Sequence, residues 1–298
     1  MNVRIFWSPE YNCTEVAFDT TRKADAVVAS LRDDPIPGVE IAAPVPATRE
    51  ECAAVHDPAF VDAVISGEPR SLAGSAGIGW DPDFPVAVLA STGGVRDAVL
   101  HALTTGGAAG SLSSGLHHAR YDRGSGYCTF NGLAVGARAA IAHGATRVVI
   151  LDLDAHCGGG TAALIRDLPE VSQVDVSVSA FDRYEPRPDA RLEIVDGPGY
   201  LAAVERALAG IDDPAGIDLL VYNAGMDPHR YAGGVAGIDD DVIDTRERTV
   251  FTWAATHGIP VAFVLAGGYT TSMTLSELAA LHRRTVEHAA AAFAPDAA

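Results

Sequence analysis

Lysine occurs once in this 298-residue chain, at Lys23, and the formal net charge is −18 at pH 7. Phosphate-backbone binding needs clustered Lys and Arg, so nucleic acid is not expected as a direct partner. An acidic surface serves solubility first, but it also attracts cations such as polyamines and basic peptides. Cysteine is scarce as well: Cys13, Cys52, Cys128 and Cys157 have neither zinc-finger spacing nor the density of a disulfide framework. A reducing compartment, the cytoplasm, is the expected location. No stretch reads as the ~20 apolar residues of a membrane span, and the N-terminus opens on alternating Val3, Ile5 and Trp7 where a leader would carry a basic stretch and an apolar run. No membrane association is expected. Repeats and linker-like breaks are also lacking, so residues 1–298 are expected to form one domain, of unknown oligomeric state.

Apolar side chains are plentiful, at 48% of the chain, enough for a large core. Short apolar runs alternate with amphipathic stretches, which predicts an α/β fold with a mostly parallel β-sheet and helices on both faces. Strands are predicted at 146–153, 173–180, 217–223 and 260–266. Helices are predicted at 22–32, 48–55, 92–105, 199–210, 240–257 and 275–293, and Thr48 and Glu51 have capping-box spacing.

In open α/β sheets the ligand crevice lies beyond the carboxyl ends of the strands, and here three apolar runs end in chemistry-bearing residues. One ends in Asp152, Asp154 and His156, another in Asp227 and His229, a third in Gly267, Gly268 and Tyr269. Side chains two apart share a strand face, so Asp152, Asp154 and His156 are expected as one polar row. Such a row needs a metal, a hydrogen-bond network or water, and alone it reads equally well as a solvated loop. Asp227 supplies a third ligand, and three protein ligands with one open position is the arrangement of catalytic zinc. The adjacent His117 and His118 lie in a Gly-rich stretch; alone they fit a surface loop, beside a metal a general acid–base pair. The Gly-Gly-Tyr turn alone fits a packed aromatic, and beside a metal a phenol aimed at a carbonyl.

Taken together, GLHHARYDRGSGYCTFN at 115–131, LDLDAHCGGGT at 151–161, NAGMD at 223–227, LAGGY at 265–269 and ATREECAAVHDPAFVDAV at 47–64 resemble the histone deacetylase and acetylpolyamine amidohydrolase family. The resemblance implies an arginase/deacetylase-like fold and a zinc ion, or iron in its place, held by Asp154, His156 and Asp227. It also implies Tyr269 as oxyanion donor, His118 as main proton shuttle, and His117 as an electrostatic partner held by Asp152. A structural potassium ion would sit at Asp152, Asp154 and Ser177. Asp81, in a Gly-Trp-Asp-Pro stretch that also reads as an ordinary turn, would grip substrate at the rim. The expected reaction is zinc-dependent hydrolysis of an N-acetyl or other N-acyl amine. An acetylpolyamine or other small acylated amine comes first as substrate and acetyl-lysine next. A zinc esterase, a non-catalytic acyl- or metal-binding relative and an arginase-like two-metal hydrolase are the alternatives.

The sequence also departs from that pattern. Cys157, Gly158 and Gly159 follow the metal-ligand histidine, and Gly159 stands where the family carries the acidic or amide partner of the shuttle histidine. Water or another carboxylate must then orient His118. Cys157 reads as a small buried hydrophobe, with a redox-sensitive thiol as the alternative. The stretch AFDRYEPRPDAR lacks the paired aromatics that often line the acyl-lysine tunnel, and Tyr184 is expected to line the pocket instead. Arg22 is weighed as lining an acetate exit path, against a plain surface position.

Overall fold

The computed structural model describes residues 2–17 and 19–294, with residues 19 and 20 described by their backbone alone. In chain order the first half holds β1 (Val3–Phe6), α1 (Asp19–Asp33), β2 (Val39–Ala42), α2 (Arg49–Ala53), α3 (Pro58–Ser66), α4 (Arg70–Ala73), α5 (Phe84–Thr105), β3 (Ala108–Ser111) and α6 (Gly132–Ala142). The second half holds β4 (Val148–Asp152), α7 (Gly159–Leu164), β5 (Val171–Ser177), β6 (Ala190–Ile194), α8 (Tyr200–Ala209), β7 (Leu219–Ala224), α9 (Asp240–Thr256), β8 (Val261–Leu265) and α10 (Leu275–Phe293).

All eight strands pair in parallel in one sheet of order β2-β1-β3-β8-β7-β4-β5-β6. The strands expected from apolar runs form β4, β5, β7 and β8, each within three residues of its expected ends. Alternation along β4 shows why those runs carry no polar face. Val149 and Leu151 pack into one core with α8, α9 and α10, while Val148 and Ile150 pack into another with α5 and α6. A strand covered on both faces reads as a continuous hydrophobic run, and each such side chain contributes roughly 1.5–3 kcal/mol of burial.

Besides β1, at the alternating Val3 and Ile5, three strands lie outside the expected set. β2 and β6 are edge strands with half-buried side chains, and β3 is Ala-Ala-Gly-Ser, a sequence of low strand propensity held between β1 and β8. The helix expected at 92–105 starts earlier, at Phe84, because its first turns are buried on more than one side and carry no amphipathic stripe. This helix, α5, spans 22 residues and is apolar enough by length and composition to cross a membrane, which corrects the expectation that no such segment exists. It is instead the core helix against β3, β8 and α6, with its one Arg–Asp pair, Arg96 and Asp97, tied to Glu51 on α2. The capping box Thr48–Glu51 forms as expected, and a second one, Thr274–Glu277, starts α10.

Candidate metal and active site

The carboxyl ends of four adjacent strands, β3, β8, β7 and β4, frame the site. Asp152 closes β4, in register with Asp175 on β5 and Asn223 on β7. Beyond Asp152 the chain bends, so Asp152, Asp154 and His156 do not continue as a straight row. Two side chains shape the bend: Asp154 N–H donates to Asp152 Oδ1 (3.3 Å) and His156 N–H to Asp154 Oδ1 (3.0 Å). The turn carries Asp154 and His156 across to Asp227, whose Oδ1 accepts from Ala155 N–H (2.8 Å).

One ligand atom from each of Asp154, His156 and Asp227 lies within 4.8 Å of the other two. His156 Nδ1 stands 3.1 Å from Asp154 Oδ1 and 3.1 Å from Asp227 Oδ2. Asp227 Oδ2 is buried and receives no hydrogen bond of good geometry. A side chain at 267 would not fit: a Cβ on Gly267 would sit 2.2 Å from Asp227 Oδ2 and 2.5 Å from Asp154 Oδ2. Burial and the nearby Asp154 charge raise Asp227 to about 6. Burial disfavours a charged His156, but the Asp154 and Asp227 carboxylates outweigh it and push the ring up to about 11. The cluster thus draws in positive charge. Two carboxylates, one imidazole and an unsatisfied buried oxygen suit a divalent cation of the zinc or iron class.

His117 and His118 enter the same pocket, of about 370 Å³, together with Tyr127 and Tyr269. His56 fastens the loop that carries them: its Nδ1 lies 2.7 Å from the Arg120 carbonyl and its Nε2 accepts from Asn131 N–H (2.9 Å). His117 Nδ1 lies 2.7 Å from Asp152 Oδ2, and Asp152 Oδ1 accepts from Asn223 Nδ2 (2.8 Å). Burial opposes a charged His117, yet Asp152 and Asp154 overcome it and raise the ring to about 10. His118 goes the other way, down to about 4, because burial and the neighbouring His117 charge outweigh its own carboxylate partner. That partner is Asp182, whose Oδ2 lies 2.9 Å from His118 Nδ1. The Tyr269 hydroxyl is raised above its usual value by burial and then by the Asp227 and Asp154 charges, so it stays an O–H donor.

Several expected positions are used differently, while Arg22 and Cys157 keep the plainer of their two readings. Both Asp81 oxygens are committed, Oδ2 to Thr14 Oγ1 and Glu15 N–H and Oδ1 to Asp83 N–H and Phe84 N–H, which makes it the turn before α5. Tyr184 does not line the pocket; its hydroxyl donates to the Arg191 carbonyl (2.8 Å). Phe181 packs edge-on against His118 and His156 at centroid distances of 4.9 and 5.7 Å and is 52% exposed, so the segment does supply an aromatic. Ser177 donates to Asp175 Oδ1 (2.7 Å), a buried acid beside Asp152 that burial and the Asp152 charge hold well above its usual value. Arg22 is exposed, whereas the neighbouring Lys23 is fully buried and donates to Ser114 Oγ (3.2 Å) and the Ala266 carbonyl. Burial pushes Lys23 down to about 7. Cys157 is buried, and burial pushes its thiol up to about 12, so it packs as an unreactive hydrophobe. His229 turns away from the site and pairs with Asp240 at 3.1 Å.

Arg246 on α9 was not legible as a site residue. It is fully buried beside Glu247, and its Nη1 donates to the carbonyls of Leu153 (3.2 Å) and Gly225 (2.6 Å). Those carbonyls immediately precede the segments bearing Asp154 and Asp227, so one guanidinium ties the two ligand turns together.

The fold has counterparts among known proteins. The chain superimposes on the crystal structure of acetylpolyamine aminohydrolase from Burkholderia pseudomallei with a TM-score of 0.79 at 19% identity, over 97% of this chain and 99% of that one. It is 32% identical to an uncharacterized protein of Picosynechococcus sp. over 74% of this chain and 75% of that protein. It is 47% identical to acetylpolyamine amidohydrolase 2 of Pseudomonas aeruginosa, but over 23% of this chain and 20% of that protein only. The model of the histone deacetylase domain matches residues 18–187, which span the tandem histidines, Asp152, Asp154, His156 and Asp182. With the parallel sheet and the acid–histidine site at its carboxyl edge, that match settles the relationship: the chain belongs to the histone deacetylase domain family.

Proposed function

We propose that residues 1–298 act as one zinc-dependent amidohydrolase that removes the acetyl or other short acyl group from a small acylated amine. An acetylpolyamine is the first choice of substrate and acetyl-lysine the second. The observation that carries the reading is the convergence of Asp154, His156 and Asp227 within 4.8 Å, with Asp154 and His156 lining a pocket that also holds His117, His118 and Tyr269. The preference for an amine that is cationic elsewhere in the molecule rests on the net charge of −18 and on the name of the Pseudomonas aeruginosa relative.

Asp154, His156 and Asp227 would hold the zinc, with iron as the alternative metal. Bound zinc supplies Lewis acidity, polarising an amide carbonyl and making water acidic enough to attack at neutral pH. His118, neutral and held at Nδ1, takes a proton from the attacking water at Nε2 and delivers it to the nitrogen of the breaking C–N bond. Acetate and the free amine are the products. His117, kept protonated by Asp152, offers positive charge to the same pocket, and the Tyr269 phenol donates to the developing oxyanion. The potassium ion implied by Asp152, Asp154 and Ser177 belongs to this proposal, and Asp175 adds a fourth oxygen-bearing residue beside it.

The test is metal content of the purified protein together with turnover of acetylputrescine, acetylspermidine, an acetyl-lysine peptide and a simple acyl ester, with and without chelator and potassium. One transition metal per chain and chelator-sensitive amide cleavage are expected. Ester cleavage without amide cleavage would transfer the site to an esterase, and inactivity after zinc loading would end the reading.

A further inference from the structure

We infer that Asp182 is the positioning residue of His118, taking over from the loop after β5 the task that Gly159 has no side chain to perform. The inference deepens the proposed function and rests on it for the catalytic consequence alone. Three observations carry it.

The first is the contact itself: Asp182 Oδ2 lies 2.9 Å from His118 Nδ1, with each side chain 6% exposed. An acceptor at Nδ1 fixes that nitrogen as the N–H and leaves the lone pair on Nε2, at the opposite side of the ring. The second is how firmly Asp182 is held. Its Oδ1 pairs with Arg120 Nη2 and its Oδ2 also accepts from Gly160 N–H (3.1 Å), while Arg120 Nη1 donates to the Gly159 carbonyl (2.9 Å). Arg120 thus ties the Asp182 loop to the very segment that lacks a side chain. Asp182 also adopts φ +60°, a left-handed conformation that a non-glycine residue keeps only where its surroundings impose it.

The third observation is steric exclusion. A Cβ at Gly159 would fall 2.2 Å from the Asp182 carbonyl oxygen and 2.8 Å from its Oδ1. A carboxylate side chain at 159 and Asp182 in its present place cannot coexist. The glycine is therefore one half of an exchange, and the other half is an acid 23 residues further along the chain.

The exchange predicts a ring state that can be read without any turnover. In ¹⁵N-histidine spectra of the wild-type protein, with His118 assigned by its disappearance in His118→Gln, the ring is expected as the Nδ1–H tautomer. Asp182→Ala should abolish that preference and lower kcat about 100-fold with KM nearly unchanged. Asp182→Asn keeps the shape but can turn its amide N–H to Nδ1 and favour the Nε2–H tautomer, so it should lower kcat at least as far as Asp182→Ala in a folded protein, which a purely structural role would not do. A wild-type Nε2–H ring, or a tautomer indifferent to Asp182→Ala, overturns the inference. So does a wild-type kcat in Asp182→Asn. Should Asp182→Ala fail to fold, the wild-type and Asp182→Asn spectra decide alone. Should the wild type cleave no acylated amine, the proposed function falls while the tautomer still settles the role of Asp182.

Discussion

His117 and His118 are adjacent in sequence, and their ring centroids are 4.0 Å apart, yet their carboxylates are anchored in different ways. Asp152 ends a central strand and is flanked in register by Asp175 and Asn223. Asp182 sits in a loop and is held by a guanidinium and one backbone N–H. The electrostatic outcome differs as much as the anchoring. Asp152 and Asp154 overcome burial and lift His117 to about 10, whereas burial and the charge on His117 bring His118 down to about 4 even with Asp182 alongside. Part of the Asp182 charge is already shared with Arg120. Under the proposed function, two identical side chains would thereby serve as a cation and a base, the pattern by which one site runs acid and base chemistry at a single pH.

The largest expected effect separates the two rings. His118→Ala should lower kcat about 1,000-fold, the range of a lost general base, and His117→Ala about 10-fold to 100-fold in the same assay. A greater loss for His117→Ala would reverse the roles. The next effect concerns the strand-anchored half. Arg246→Met leaves Glu247 as an unpaired buried charge and removes the donor to the Leu153 and Gly225 carbonyls, so unfolding in urea should show a loss of about 3–5 kcal/mol. Arg120→Met breaks a pair whose guanidinium is 29% exposed and should cost about 1 kcal/mol. Equal losses would mean that loop and strand anchors are equally strong.

The smallest effect belongs to Asp81, a carboxylate spent wholly on a turn. Burial would raise it, but the hydrogen bonds from Thr14, Glu15, Asp83 and Phe84 prevail and hold it below its ordinary 3.8. A depressed folded value means that the stabilisation is present above the ordinary value and is lost as pH falls through the folded one. Asp81→Asn replaces one acceptor oxygen by an NH2 and should therefore lower stability by about 1 kcal/mol at pH 7, with the gap closing in acid and kcat unchanged. A kcat loss at neutral pH would return Asp81 to the substrate rim.

The candidate metal-ligand set was legible because it is locally written. Asp154 and His156 lie two residues apart at the end of an apolar run, and Asp227 follows another run on the neighbouring strand. The straight polar row was misread, since side-chain alternation holds only while the strand continues, and it stops at Asp152. β3 was missed because Ala-Ala-Gly-Ser has no strand preference of its own and is made a strand by the neighbours on both sides. Tyr184 was taken for a pocket residue on proximity in sequence, although the left-handed turn at Asp182 leaves Phe181 against the histidines and Tyr184 on the Arg191 carbonyl.

Periodic burial, helix caps and strand-end motifs are short-range signals, and from them the parallel α/β architecture, the helix start at Thr48 and the acid–histidine set could be read directly. The partner of His118 could not. It lies 64 residues away in sequence and reaches the ring through one left-handed residue, a salt bridge to Arg120 and the space left open at Gly159. The same holds for Arg246, whose importance lies in two backbone carbonyls 93 and 21 residues distant. Such contacts have no period and no motif, so they exist only once the chain has closed around them.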